Sequence, residues 1–129
     1  MKSLVGVVGL LVALVVAAWQ PAAAQRSAPV AGAPKELRVG VVTLLSGPAS
    51  ATFGIPAKKA ADAWIEKIND EGGIGGARIV QVLTDEAGPT DKVVAEFRRL
   101  AADEKVDLVI GYISSANCVA VPPVAEELR

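Results

Sequence analysis

Histidine is absent from the 129 residues, and cysteine occurs once, at Cys118. Without an imidazole, a Ser/His or Cys/His catalytic pair and the usual zinc ligand sets are excluded within this chain. A single cysteine allows no internal disulfide, and Cys118 reads as a small half-buried hydrophobe rather than a reactive thiol. Basic excess is missing too, since 13 Lys and Arg stand against 14 Asp and Glu. A nucleic-acid partner would need a basic face, so that class is set aside.

Long apolar runs are rare, and the one at the start has a specific form. Met1-Lys2-Ser3 carries one positive charge, Leu4–Ala18 is apolar, Trp19-Gln20-Pro21 breaks the run, and Ala22-Ala23-Ala24 offers small residues before Gln25. This is the three-part pattern of a secretory signal peptide, with cleavage expected after Ala24. The run falls short of the roughly 20 residues that a membrane span needs. No Cys follows the small residues, so nothing points to a lipid anchor. Lys2 is the only charge in that segment, so the mature chain holds 12 basic against 14 acidic residues. Its length fits one domain at most.

The mature chain opens on Gln25–Glu36, rich in Pro and Ala and without periodicity, which reads as a flexible tether. Leu37–Leu45 is a near-continuous Val-rich run, expected for a central strand covered on both faces. Ser46-Gly47-Pro48 starts a loop that runs to Gly54. Ala57, Ala60, Ala61, Trp64, Ile65 and Ile68 then form one helical stripe, with Pro56 in the first turn and Gly72-Gly73 as the stop. The run Gly72–Gly76 is no phosphate loop, because it follows a helix and precedes a strand.

Arg78–Thr84 reads as a second strand, more polar and nearer an edge. Asp85 and Glu86 follow it, and adjacent strand residues point to opposite faces. They therefore do not converge on one ion, and turn or capping roles are expected. Thr90–Asp103 is a second helix with Val93, Phe97, Leu100 and Ala101 on one stripe. A third strand, Val106–Ile110, reads as buried, and Gly111 and Tyr112 turn the chain into a third helix, Ser115–Leu128. Pro122-Pro123 inside that helix predicts a kink near Val119.

Strand and helix alternate throughout, so the fold class is α/β: three layers, a parallel sheet in order 2-1-3, and helices on both faces. Ligands on such sheets bind at the carboxyl ends of the strands, at the switch point between the first and third. There the loop Ser46–Gly54 meets Gly111–Ser115. Ser114 and Ser115 suit two roles, and spacing alone favours the first. They cap a helix, or, with the free amides and the positive helix end, they hold a small anion such as a carboxylate.

Four stretches carry a resemblance: LRVGVVTLLSGPAS, the helix ending in EKINDEGGIGGARI, DEAG, and KVDLVIGYISSANCVAVPPVAEE. In this succession the chain resembles the start of a type I periplasmic solute-binding protein of the branched-chain amino-acid (Leu/Ile/Val)-binding family of ABC importers. The resemblance implies two α/β lobes that close on a ligand, no cofactor and no catalysis. Its implied ligand-binding residues are Ser115 and Ser114 on an α-carboxylate, Ile113 and Tyr112 along the pocket, Phe53 over the ligand, and Ser46 opening the facing loop. The implied partners are an amino acid, amide or aromatic acid and an ABC permease in the inner membrane.

On that basis residues 1–24 are the signal peptide, 25–36 the tether, and 37–129 the N-terminal part of ligand-binding lobe 1. The second lobe, which supplies the acidic partner for a ligand ammonium, is absent from the sequence. Two other readings stay open. A small secreted α/β enzyme would need a general base near Ser114 or Ser115, and no G-x-S-x-G elbow is present. A truncated, non-binding remnant is the other, since small domains bury proportionately less surface.

Overall fold

A computed structural model describes residues 29–128. The expected signal peptide and residues 25–28 lie outside them. The strands are β1 (Glu36–Thr43), β2 (Arg78–Asp85) and β3 (Leu108–Gly111). The helices are α1 (Ile55–Asp70), α2 (Thr90–Ala102) and α3 (Ser115–Glu127), with one π-helical turn, Ser50–Gly54, leading into α1. All strand pairs are parallel, in the order β2-β1-β3. The topology expected from the alternation of elements is the one observed.

Each face of the sheet has its own apolar layer. Val39, Val41 and Ile79 meet Ala61, Ile65 and Ile68 of α1 on one side. On the other, Val93 and Phe97 of α2 pack with Val121 and Val124 of α3. Leu100, fully buried, reaches the sheet at Gly40, where an added Cβ would lie 3.4 Å from its side chain. Asn69 at the end of α1 accepts from the Ile79 amide (2.7 Å) and donates to the Ile79 carbonyl (3.0 Å). One side chain thereby satisfies backbone groups on β2 that the sheet edge leaves unpaired.

Several expectations need correction. The α1 stripe divides: Ala61, Ile65 and Ile68 pack on the sheet, while Trp64 is 63% exposed and Ala57 and Ala60 are exposed as well. β3 is an edge strand, paired only with β1 among the described residues, so Leu108 and Ile110 are exposed rather than buried. Residues 29–35 do not hang free. The Val30 amide donates to the Gly75 carbonyl (2.9 Å), and the Lys35 carbonyl accepts from Arg78 (2.9 Å). The glycine-rich turn after α1 gives that segment bare backbone to bond.

α3 runs without interruption through Pro122 and Pro123. Its buried side is Asn117, Val121 and Val124, whereas both prolines are exposed. The carbonyls that lose a partner belong to Cys118 and Val119, both on exposed residues, and water can satisfy them. Cys118 is exposed, its thiol donating to the Tyr112 carbonyl at 3.3 Å.

Candidate ligand-binding rim

Because the strands are parallel, the segments after β1, β2 and β3 leave the same end of the sheet. Two glycines let the outer segments press against β1. A Cβ on Gly54 would sit 1.5 Å from the Leu44 carbonyl oxygen, and one on Gly111 would sit 2.0 Å from that of Val42. Gly111 also has φ +142°, and Tyr112 follows at φ +69°. For a non-glycine residue that left-handed conformation costs about 1–2 kcal/mol. It turns the chain sharply out of β3 into α3. After β1, the Thr43 hydroxyl donates to the Gly54 carbonyl at 3.3 Å and ties the π-helical turn to the strand end.

Asp85 and Glu86 divide between these segments. Asp85 Oδ1 accepts from the Leu45 amide (2.9 Å) and the Ala87 amide (3.0 Å), and Oδ2 accepts from the Ser46 hydroxyl (2.6 Å). Burial works to raise the Asp85 pKa, but the Ser46 hydroxyl and the Ala87, Leu45 and Ser46 amides together hold it below the usual carboxylate value. Glu86 is 1% exposed. Its Oε2 accepts from the Ile113 amide (2.7 Å), and its Oε1 from the Ser114 amide (2.8 Å) and Asn117 Nδ2 (3.0 Å). A buried carboxylate is tolerable only with such donors, and here the positive end of α3 adds to them.

This changes the expected role of the helix start. Ser114 is the N-cap residue, yet its side chain makes no capping hydrogen bond. The anion at that helix end is the protein's own Glu86, so the Ile113 and Ser114 amides are already taken. The first helical bond runs from the Cys118 amide to the Ser114 carbonyl (3.0 Å). The amides of Ser115, Ala116 and Asn117 precede it. The capping role expected for Glu86 is found, but sequence reasoning missed that the helix is α3 and that Asn117 joins the contact. The available signal was a carboxylate ending one strand and a polar residue three positions past the N-cap, 31 residues away.

The other candidates are placed as follows. Ser115 is exposed at the first position of α3. Ile113 is 38% exposed, and with Val41, Thr43, Ala57, Ala61, Ile110 and Gly111 it borders an apolar hollow of about 160 Å³. Phe53 is 56% exposed on the π-helical turn. Ser46 is exposed, with its hydroxyl committed to Asp85. Tyr112 differs from the rest, because its side chain packs against the Val93–Phe97–Val121–Val124 cluster instead of the rim. Burial, helped by the charges of Glu86 and Cys118, pushes its pKa up to about 12.

A fold of this kind, on a 2-1-3 parallel sheet, is shared with known proteins. The periplasmic binding protein family model matches residues 36–129. The chain belongs to that family. Its similarity to Leu/Ile/Val-binding protein homolog 7 of Brucella abortus is 35% identity over 116 residues, covering 90% of this chain and 27% of that relative. Among solved structures it is similar to the branched-chain amino acid transporter substrate-binding protein LivJ of Streptococcus pneumoniae, in complex with isoleucine. The TM-score there is 0.67 at 28% identity, covering 73% of this chain and 27% of the other. A solute-binding protein of an ABC transporter from R. palustris, in complex with 4-hydroxybenzoate, gives 0.63 at 29% identity, covering 72% and 25%. This periplasmic binding protein family member thus spans about a quarter of the length of the curated relatives it matches.

Proposed function

We propose that this chain carries the carboxylate-holding half of a substrate-binding component of an ABC importer. In this reading Ser115 and Ser114 present their hydroxyls, with the amides of the first turn of α3, to a ligand carboxylate. Phe53 stands on the facing segment, and the apolar hollow beside Ile113 takes part of the ligand's body. The observation that carries the reading is the Ser114 hydroxyl, which the helix does not use as a cap because Glu86 supplies that function. Isoleucine and 4-hydroxybenzoate, the ligands of the two structural relatives, have a carboxylate in common.

Residues 1–24 would direct the protein to the periplasm, residues 37–129 would form the first part of lobe 1, and an inner-membrane permease would receive the ligand. A hydrolytic role finds less support. The nearest carboxylate, Glu86, bonds to the Ser114 amide and not to its hydroxyl.

The rim described contacts a ligand from one side and leaves the rest of it solvated, so weak binding to these residues alone is expected. Amide chemical shifts followed during titration with millimolar isoleucine and 4-hydroxybenzoate test the reading. Shifts should centre on Ser114–Asn117, and Ser115→Ala should weaken binding about tenfold by removing a hydrogen bond to a charged group. Shifts elsewhere, or an unchanged affinity in Ser115→Ala, would count against it.

A further inference from the structure

We infer that Asp85 and Glu86 are positioning residues, a divergent pair at the end of β2 that sets each rim segment separately before any ligand arrives. The inference rests on the ligand-binding reading above and adds what holds the site in shape. Neighbouring strand residues face opposite sides. Asp85 accordingly reaches the segment after β1, at Leu45 and Ser46, and Glu86 reaches the segment after β3, at Ile113 and Ser114. Between them the Glu86 amide donates to the Thr43 carbonyl at 2.8 Å, so the fork is rooted in the sheet itself.

Neither carboxylate forms an ion pair among the described residues. Residues 44–54 and 111–118 hold no Lys or Arg at all. The hydrogen bonds found for both groups therefore go to the rim segments, the Ala87 turn and the first turn of α3. A site whose loops are fixed in advance loses less conformational freedom on binding. Glu86 also fills the position a ligand anion would otherwise take at the Ile113 and Ser114 amides, which moves the ligand carboxylate outward to the serine hydroxyls.

Amide hydrogen exchange in the ligand-free chain tests the fork without reference to any ligand. Glu86→Gln turns an NH₂ toward the Ile113 amide, and exchange there should rise at least tenfold while Leu45 and the core reporter Val41 stay as they were. Asp85→Ala should do the reverse, raising Leu45 and leaving Ile113 unchanged. Equal increases at Ile113, Leu45 and Val41 in either variant would show plain destabilisation and overturn the proposal, as would no change at all.

Should Glu86→Gln fail to fold, the wild-type chain still decides the matter in a pH titration. The Leu45 amide shift should follow the Asp85 side-chain carboxyl, whose pKa lies below the usual carboxylate value, while the core reporter Val41 stays as it was. A Leu45 shift that ignores the Asp85 carboxyl would overturn the fork.

Isoleucine then reads the consequence. Affinity should fall at least fivefold in Glu86→Gln, whereas Ser115→Ala weakens binding without raising exchange at Ile113. Unchanged affinity in Glu86→Gln would overturn the positioning role. If the wild-type chain shows no isoleucine-induced shift, the ligand reading fails, and the exchange pattern alone decides the fork.

Discussion

Tyr112 shows how much one backbone turn decides. At φ +69° it sends its ring into the α2–α3 layer, next to the buried Glu86 carboxylate. Burial disfavours the ionised ring, and ionising it would also place a second negative charge beside Glu86, hence the rise to about 12. It is the only tyrosine in the chain, so absorbance near 295 nm reads it directly. A midpoint close to 12 is expected in the folded protein, against about 10 after unfolding. With the folded value the higher one, this contribution to stability is complete below the unfolded pKa. It is lost as pH rises through the folded one. A midpoint near 10 in the folded chain would show that the ring is not packed as described. The sequence put Tyr112 at the turn, and the resemblance put it along the pocket; where its ring packs was not legible, because composition does not reveal which way a left-handed residue points.

At the scale of elements, α3 is the least regular part of the fold. A helix with two interior prolines loses two amide donors, at a cost of about 3 kcal/mol each in an ordinary interior. It persists because Val121 and Val124 anchor it on α2 and because Arg98 of α2 pairs with Glu127 at 2.7 Å. The pair is exposed and adds little, so the apolar contact carries most of the stabilisation. Pro122→Ala would restore an amide facing the Cys118 carbonyl without touching the buried side. Denaturant unfolding should show a gain of about 1–3 kcal/mol, and a loss would mean that the proline ring itself packs. The periodicity of α1 and α2 was plain in the sequence. The split of the α1 stripe at Trp64 was not, since it depends on what lies across from each position.

For the molecule as a whole, the open edge of β3 is the main consequence. Leu108 is 51% exposed, on a strand whose outer edge has no strand partner among the described residues. Apolar, unprotected edges pair with other chains. Sedimentation should therefore show association that increases with concentration, and Leu108→Lys should shift the chain toward monomer. Leu108 pairs with Val39, four residues before the strand's rim end, so the substitution leaves the proposed site alone. Identical sedimentation of both proteins would place any association elsewhere.

The order of strands and helices, the parallel sheet and the meeting of two loops at one end were all determined by the sequence. They follow from periodicity, turn residues and the handedness of crossovers, which act locally along the chain. Even the divergence of Asp85 and Glu86 was legible, because alternation along a strand is local geometry. What only the tertiary structure decided is where those carboxylates end. Glu86 caps a helix that begins 29 residues later in the chain, a contact no local pattern encodes, and that contact leaves the Ser114 hydroxyl free of capping duty. Burial of a charge is settled by everything that surrounds it, and the surroundings exist only once the chain has folded.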